Sequence, residues 1–420
     1  MTWRYIFAEA FAALRFHRRR TLFTTLSLGW GVACFVILIS YGSGFEGALV
    51  KAFTAVGQDL VITFNGQTSE QAGGLRSGRR IRMELDNVRV LRETVPLIEA
   101  MSPELMLGRG IKATYGAREY DTMIRAVYPE YQVVRNMKLR DGRWINEDDR
   151  LRQHRVAVIG AKAAERLFGS IYPINEEFVL NGLRFTVIGV IENKLQIANY
   201  NRHDNECVFI PYDTFSVFGD TRYPHMLVWK PLDPGSRERA IAMVRAKLGE
   251  IHRFSPKDEK AVEILAFSQF MTIITGMALA VRLLLGFVGG LTLAIGGVGL
   301  ANIMLASVIE RTREIGMIKA LGGVRSWILK QFLVEASLVV LMGGVIGIGL
   351  GYAATAIIGS MPFLGPAFED TTGTGDIELR VSMAAVGVSC FVLLLVGVMA
   401  GLAPAMKASR LDPIEALRYE

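Results

Sequence analysis

Residues 283–323 read LLLGFVGGLTLAIGGVGLANIMLASVIERTREIGMIKALGG. No charge occurs from 283 to 309. A helix rising ~1.5 Å per residue crosses a ~30 Å hydrocarbon core in roughly 20 residues, so this run is long enough to span a membrane. It ends in the charged block ERTREIGMIKALGG at 310–323, and a second uncharged, membrane-length run follows over 336–368. Ile315, Ile318 and Leu321 read as one apolar helical face of that block, and Gly322-Gly323 as its end. A short, charged, helix-forming segment between two spans is shaped to touch something at the membrane surface.

The same reading extends outward. Residues 21–44 carry no charge and form a first span. They read as a retained anchor, because the apolar run is too long for a cleavable signal and no small-x-small site follows Tyr41. Residues 268–309 form a stalk and second span, with Arg282 near the outer interface, where its charge reaches water. The third span is 328–358 and the fourth 381–403, joined by the loop 359–380. Ahead of the first span, Trp3, Ile6, Phe7, Ala10, Phe11 and Leu14 recur at helical spacing beside Arg4, Arg15, Arg18, Arg19 and Arg20. That pattern predicts an amphipathic helix over 1–20, lying on the inner membrane face. Asp412-Pro413-Ile414-Glu415 supplies a cap, a proline at the first helical position and an acid in the first turn, so the tail 404–420 should end in a short helix over 413–418.

Positive residues orient the chain. Arg311, Arg313, Lys319, Arg325 and Lys330 lie between spans two and three, and Lys407, Arg410 and Arg418 lie in the tail. The loop 359–380 has only Arg380 against Glu369, Asp370, Asp376 and Glu378. Both termini and the block 310–323 are therefore expected in the cytoplasm of a plasma (inner) membrane protein, and 45–267 outside.

That outer region mixes strand and helix signals. Residues 60–64, 111–127, 155–159, 178–180, 183–191 and 226–229 read as strands, with a turn at Gly116. Asn181-Gly182 supplies the positive φ angles of a tight hairpin. Helices are expected over 86–95, where Asp86 can cap, over 161–168 and over 237–251. Residues 66–80, rich in Gly, Ser and Gln, read as a mobile loop. The expected fold class is an α-helical membrane domain of four transmembrane helices, arranged 1+3, with a large α+β extracytoplasmic domain.

Of 420 residues, 51% are hydrophobic and 21% charged, and most charges fall within 46–263, as a membrane protein with one soluble domain requires. Arginines and lysines flanking the spans account for much of the net charge of +7, so no nucleic acid is expected as a partner. No catalytic device is legible. There is no GxxxxGK[ST] phosphate loop, no GxSxG and no HExxH. His17, His154, His203, His225 and His252 are scattered singly, and Cys34, Cys207 and Cys390 form no CxxC or Cys/His cluster, so neither a disulfide nor a metal site is expected. The run Glu147, Asp148, Asp149 beside Arg150 and Arg152 reads as a solvated loop. Gly296, Gly297 and Gly299 sit inside a span, which excludes a dinucleotide loop. Gly343, Gly347 and Gly351, spaced by four, place a smooth face on span three for another helix, of this chain or of a second copy. With no nucleotide motif of its own, the chain reads as a membrane permease moved by a separate motor that touches 310–323.

NIMLASVIERTREIGMIKALGG at 302–323, the tail PAMKASRLDPIEAL at 404–417 and the outer segments RVAVIGAKAAERLFG and NGLRFTVIGVIEN resemble the permease part of MacB-type (type VII) ABC transporters. That superfamily includes the lipoprotein-releasing permeases and FtsX. The resemblance covers nearly the whole chain, but MacB carries an ATPase domain ahead of the first span, and this sequence opens directly on the interfacial helix. The resemblance implies a homodimer that transmits ATP-driven closure of a separate ABC ATPase subunit to the outer domain, with ATP and Mg on that subunit and no cofactor on this one. It implies that Glu310, Arg311, Arg313, Glu314, Ile315 and Lys319 couple to the ATPase. It divides the outer domain into two subdomains, the second inserted at about 138–218. Membrane lipids, a periplasmic adaptor and a TolC-like outer-membrane duct are the further partners of an efflux role. Lipoprotein release, or FtsX-like control of a cell-wall hydrolase, are the alternatives, the last disfavoured by the size of 45–267.

Overall fold

Long uncharged runs make long helices, because a backbone in hydrocarbon must bond to itself. In the computed structural model, four helices among the described residues are long and apolar enough to cross a membrane: Arg18–Thr54, Phe267–Glu310, Arg325–Ile358 and Met383–Arg410. The structure describes residues 15, 18–55, 57, 59–108, 110–196, 201–365, 373, 375–412, 414 and 416. The helix expected over 1–20 lies outside these except for Arg15 and Arg18 to Arg20, as do Glu369, Asp370, Pro413, Glu415 and Arg418.

Each helix outruns the apolar run that predicts it. The first continues past 44 to Thr54, the second is unbroken from Phe267 to Glu310, and the fourth passes through Pro404 to Arg410. Apolar runs mark the part inside hydrocarbon, whereas helical bonding continues until a residue stops it. Of the tail, Asp412, Ile414 and Ala416 are described: the Asp412 carboxylate accepts from the Ile414 N–H and its carbonyl from the Ala416 N–H, each at 2.9 Å.

The chain forms two compact units. The first comprises Met1–Ala48, Gly276–Pro362 and Asp376–Glu420. Its core joins all four long helices through Leu28, Val32, Leu293, Leu300, Phe332, Val340 and Leu393. Arg282 meets Glu46 at 3.4 Å, both side chains remaining well exposed.

The second unit, Leu49–Thr275 and Phe363–Gly375, is built on one twelve-stranded sheet. In chain order the strands are β1 (Val61–Asn65), β2 (Ile98–Leu107), β3 (Lys112–Tyr115), β4 (Arg118–Asp121), β5 (Met123–Val127), β6 (Leu139–Gly142), β7 (Val156–Ile159), β8 (Glu177–Leu180), β9 (Leu183–Ile191), β10 (Cys207–Pro211), β11 (Met226–Pro231) and β12 (Val262–Ala266). Their order across the sheet is β12-β1-β11-β2-β5-β10-β7-β9-β8-β3-β4, with β6 on β9. The strands contributed by 138–218, β6 to β10, join the others at two places, the parallel pair β5–β10 and the antiparallel pair β3–β8. Helices Leu85–Thr94 and Arg237–His252 cover the β1–β11–β2 end, burying Leu91, Val244 and Leu248 against Val61, Met101 and Trp229.

The β8–β9 hairpin turns at Asn181 (φ 47°) and Gly182 (φ 85°), as Asn-Gly predicts. Residues 66–80 form a loop, as expected, and it is hydrogen-bonded into the fold: the Asp258 carboxylate accepts from the N–H of Ser69 and Glu70 and from the Ser69 hydroxyl, and Gly66 accepts from the Ile81 N–H. Two local readings are corrected. Asp86 is not the cap of its helix; Asn87 accepts from the Glu84 N–H, and Asp86 pairs with Arg89. The acidic run is a capped helix, Glu147–Leu151, not a loop: the Asn146 and Asp149 side chains each accept the other's backbone N–H, and Asp149 is buried against Arg143.

Candidate functional site

The second helix ends at Glu310, Arg311 leaves the helical conformation, and a short helix, Thr312–Ala320, follows. Gly322, at φ 93°, lets the chain close this helix: the Gly322 N–H donates to the Lys319 carbonyl and the Gly323 N–H to that of Ile318. The expected helix with a double-glycine stop is therefore present.

Its residues divide into two sets. One set is tied to the bundle. The Glu310 carboxylate accepts from Arg20 of the first helix at 3.0 and 3.1 Å. Arg311 reaches the Glu335 carboxylate of the third helix at 3.4 Å, with both side chains largely buried. Ile315 is 4% exposed and packs in the core of the first unit. Lys319 donates to the carbonyls of Ser409, at 2.8 Å, and Leu411, so its ammonium caps the end of the fourth helix. Burial, with Arg325 nearby, holds that ammonium below the usual lysine range, against the pull of Asp412.

The other set faces outward. Arg313 and Glu314 are exposed and meet no partner among the described residues. Met317 is exposed beside them, as are Leu321 (85%) and Val324. This corrects the common face assigned to Ile315, Ile318 and Leu321. At ~100° per residue, positions six apart point about 120° away from each other, so Ile315 turns inward while Leu321 turns out. Of the six residues named from the sequence, four fasten the segment and only Arg313 and Glu314 are presented. Glu335 was missed. Its signal is a lone acid in an otherwise apolar run, which the span reading absorbed.

The glycine face of the third helix is occupied within the chain. A Cβ at Gly343 would lie 3.0 Å from Leu28, at Gly351 3.0 Å from Val36, and at Gly347 only 2.4 Å from the Gly29 carbonyl oxygen. Contacts advance together along both helices, so the first and third run parallel across this seam.

A cluster in the second unit also went unread. Asp204, with a fully buried side chain, accepts from Arg135 at 2.8 and 2.9 Å, from Arg125 at 3.1 Å and from Lys194 at 3.2 Å. Arg125 also donates to the Tyr131 hydroxyl and lies 3.6 Å from Glu104. Burial alone would raise the Asp204 carboxyl; the Arg135, Lys194 and Arg125 charges outweigh it and hold the carboxyl well below the usual range. Burial pulls Lys194 down to about 8. These residues are dispersed from 104 to 204, and only folding brings them together. Among the described residues, no group of three or more His, Cys, Asp or Glu side chains is arranged to hold a metal.

Residues 21–247 match the family model of the MacB-like periplasmic core domain, and residues 286–413 that of the FtsX-like permease C-terminal region. The chain belongs to the MacB/FtsX permease family. It is similar to the macrolide export ATP-binding/permease protein MacB of Bdellovibrio bacteriovorus, 31% identical over 98% of this chain and 61% of that protein. It is similar to the ABC transporter permease YknZ of Bacillus subtilis, 27% identical over 98% of both chains. The probable syringafactin export protein SyfD of Pseudomonas syringae is 31% identical over 98% of this chain and 59% of its own length. The chain thus spans about three-fifths of MacB and SyfD. Among solved structures, the periplasmic region of MacB from Actinobacillus actinomycetemcomitans matches with a TM-score of 0.42 and 20% identity, over 52% of this chain and 94% of that one. As a MacB/FtsX permease, this is a membrane protein with a mixed α/β periplasmic-type domain.

Proposed function

We propose that this permease is driven by an ABC ATPase docking on Arg313, Glu314, Met317, Leu321 and Val324, and that the fastened residues turn the docked motion into movement of the helices. The division of the 310–323 block carries this reading. Its outward face joins a mixed charge pair to exposed apolar side chains, which is an interface composition. Its inward face ties one rigid segment to the first, third and fourth helices and continues the second. A push on this segment is therefore felt by every long helix. The unbroken helix from Glu310 back to Phe267 is a stiff element to carry it onward. In this reading ATP and Mg belong to the motor, two permease copies face two motor subunits in an inner membrane, and the charge asymmetry supports a cytoplasmic docking face and cytoplasmic termini.

The names of MacB and SyfD support export as the task, of a macrolide-like or syringafactin-like compound. In this reading the export route uses an adaptor and, in a cell with an outer membrane, a duct. The test reconstitutes the permease with its ATPase and measures complex formation and cargo-dependent ATP hydrolysis. The double reversal R313E/E314R should lose docking or coupling by at least about tenfold, the effect of roughly 1.4 kcal/mol. E147K/D148K should leave both unchanged. Docking and coupling by R313E/E314R equal to wild type would remove this face from the mechanism.

A further inference from the structure

Beside the glycine seam, the first and third helices leave a groove of about 560 Å³. Leu22 of the first helix and Leu341, Val345 and Ile346 of the third form its walls, and Arg15 and Arg18 stand at its end. Leu22, Leu341 and Val345 are each more than half exposed in the chain alone. Among the described residues, no acid lines the groove and neither arginine has a carboxylate partner. Arg20, two positions on, is in contrast paired with Glu310.

We infer that this groove binds an anionic phospholipid, its phosphate on Arg15 and Arg18 and an acyl chain along Leu22, Leu341, Val345 and Ile346. Three observations carry this. The walls are apolar on the outer surface of helices long enough to cross a membrane, where the surrounding solvent is lipid. The groove runs from Arg18 to Thr25, about 10 Å of helix, which lies within the ~15 Å hydrocarbon of one leaflet. Two cations with no carboxylate partner among the described residues, at the end of an apolar slot, attract anionic charge at the headgroup level, which a zwitterionic lipid does not supply as a net charge. The Arg20–Glu310 pair places this end of the first helix beside the start of the 310–323 block, so the lipid would occupy the leaflet on that side.

The experiment uses the full chain in mild detergent, with phosphatidylglycerol or phosphatidylcholine added, and counts retained lipid by native mass spectrometry. At about fivefold per juxtamembrane cation, phosphatidylglycerol should be retained roughly 25- to 30-fold over phosphatidylcholine. R15A/R18A, at exposed positions, should lose that preference. V345W, which fills the groove without changing charge, should lose it too, and R325A/K330A, which removes equal charge elsewhere, should keep it. The inference is overturned if R15A/R18A retains phosphatidylglycerol like wild type. It is equally overturned if R325A/K330A loses as much, which would mean unspecific surface attraction. If V345W leaves lipid retention intact but splits a dimer into monomers, the groove belongs to a second copy and not to lipid.

Discussion

Gly347→Ala adds one methyl group at the closest approach of the first and third helices. Its Cβ would lie 2.4 Å from the Gly29 carbonyl oxygen and 2.5 Å from the Val32 Cβ. Neither atom can rotate away, since one is backbone and the other is fixed to it. Ordinary contact begins at 3.4 Å, so the helices must part by about 1 Å. A gap of that order forfeits a quarter to a half of each dispersion contact along the seam, including Leu28 on Gly343 and Val36 on Gly351. Lipid gives no hydrophobic compensation for separated helices. The expected loss is about 1–3 kcal/mol, the range for overpacking a tight contact. Gly349→Ala is the control, because nothing lies within 4 Å of its added Cβ, and it should stay within about 0.5 kcal/mol of wild type. SDS titration in mixed micelles gives the unfolding midpoint. Hydrogen exchange of the first helix around 28–36 localises the effect and should accelerate roughly 5- to 150-fold. If Gly347→Ala and Gly349→Ala behave alike in both measurements, the glycine face does not seat the first helix, and the partner must be sought in another chain.

Two further outcomes follow from ion pairs. Arg311→Met leaves the Glu335 carboxylate buried without its partner and should lower stability by about 3–5 kcal/mol, whereas R311M/E335M should recover most of this; strictly additive effects in the SDS titration would show that the pair does not form. For Asp204, the Arg135, Lys194 and Arg125 charges hold the folded carboxyl well below the usual carboxylate range, so the unfolded chain binds more protons as pH falls. Its contribution is full above about pH 4 and is lost on acidification, so D204N should be destabilised at pH 7 and show a shallower loss between pH 4 and 2 by near-UV circular dichroism; equal acid slopes would refute this.

What the sequence makes legible is local. The spans, the Asn181-Gly182 hairpin and the Gly322-Gly323 stop each depend on neighbouring residues alone. Strand β2 is absent from the expected strands, and it holds Pro103, a residue unfavourable in a central strand. The fold accommodates it at the point where β5 has ended: β2 pairs with β5 only from Glu104 onward, and the Tyr128 N–H donates to the Ser102 hydroxyl instead. In the 310–323 block the residue types were legible but their directions were not. Which charges face inward depends on Arg20, Glu335 and Ser409, each on a different helix. The identity of the helix on the glycine face was open for the same reason.

The seam between Leu28 and Gly343 also has a consequence in time. The first helix emerges from the ribosome about 300 residues before the glycine face that receives it, and at ~5–20 residues per second this is a wait of roughly 15–60 s. Through that interval Gly29, Val32 and Val36 lie in the bilayer without their seat, while the strands of the second unit are being made. Assembly of this permease therefore has an order: the second span, made earlier, meets the first helix where Phe35 lies on Gly289 and Leu293 on Gly31, and the third span closes the glycine seam afterwards. A mutation on the glycine face thus acts at that closing step, and leaves the contact between the first two spans in place.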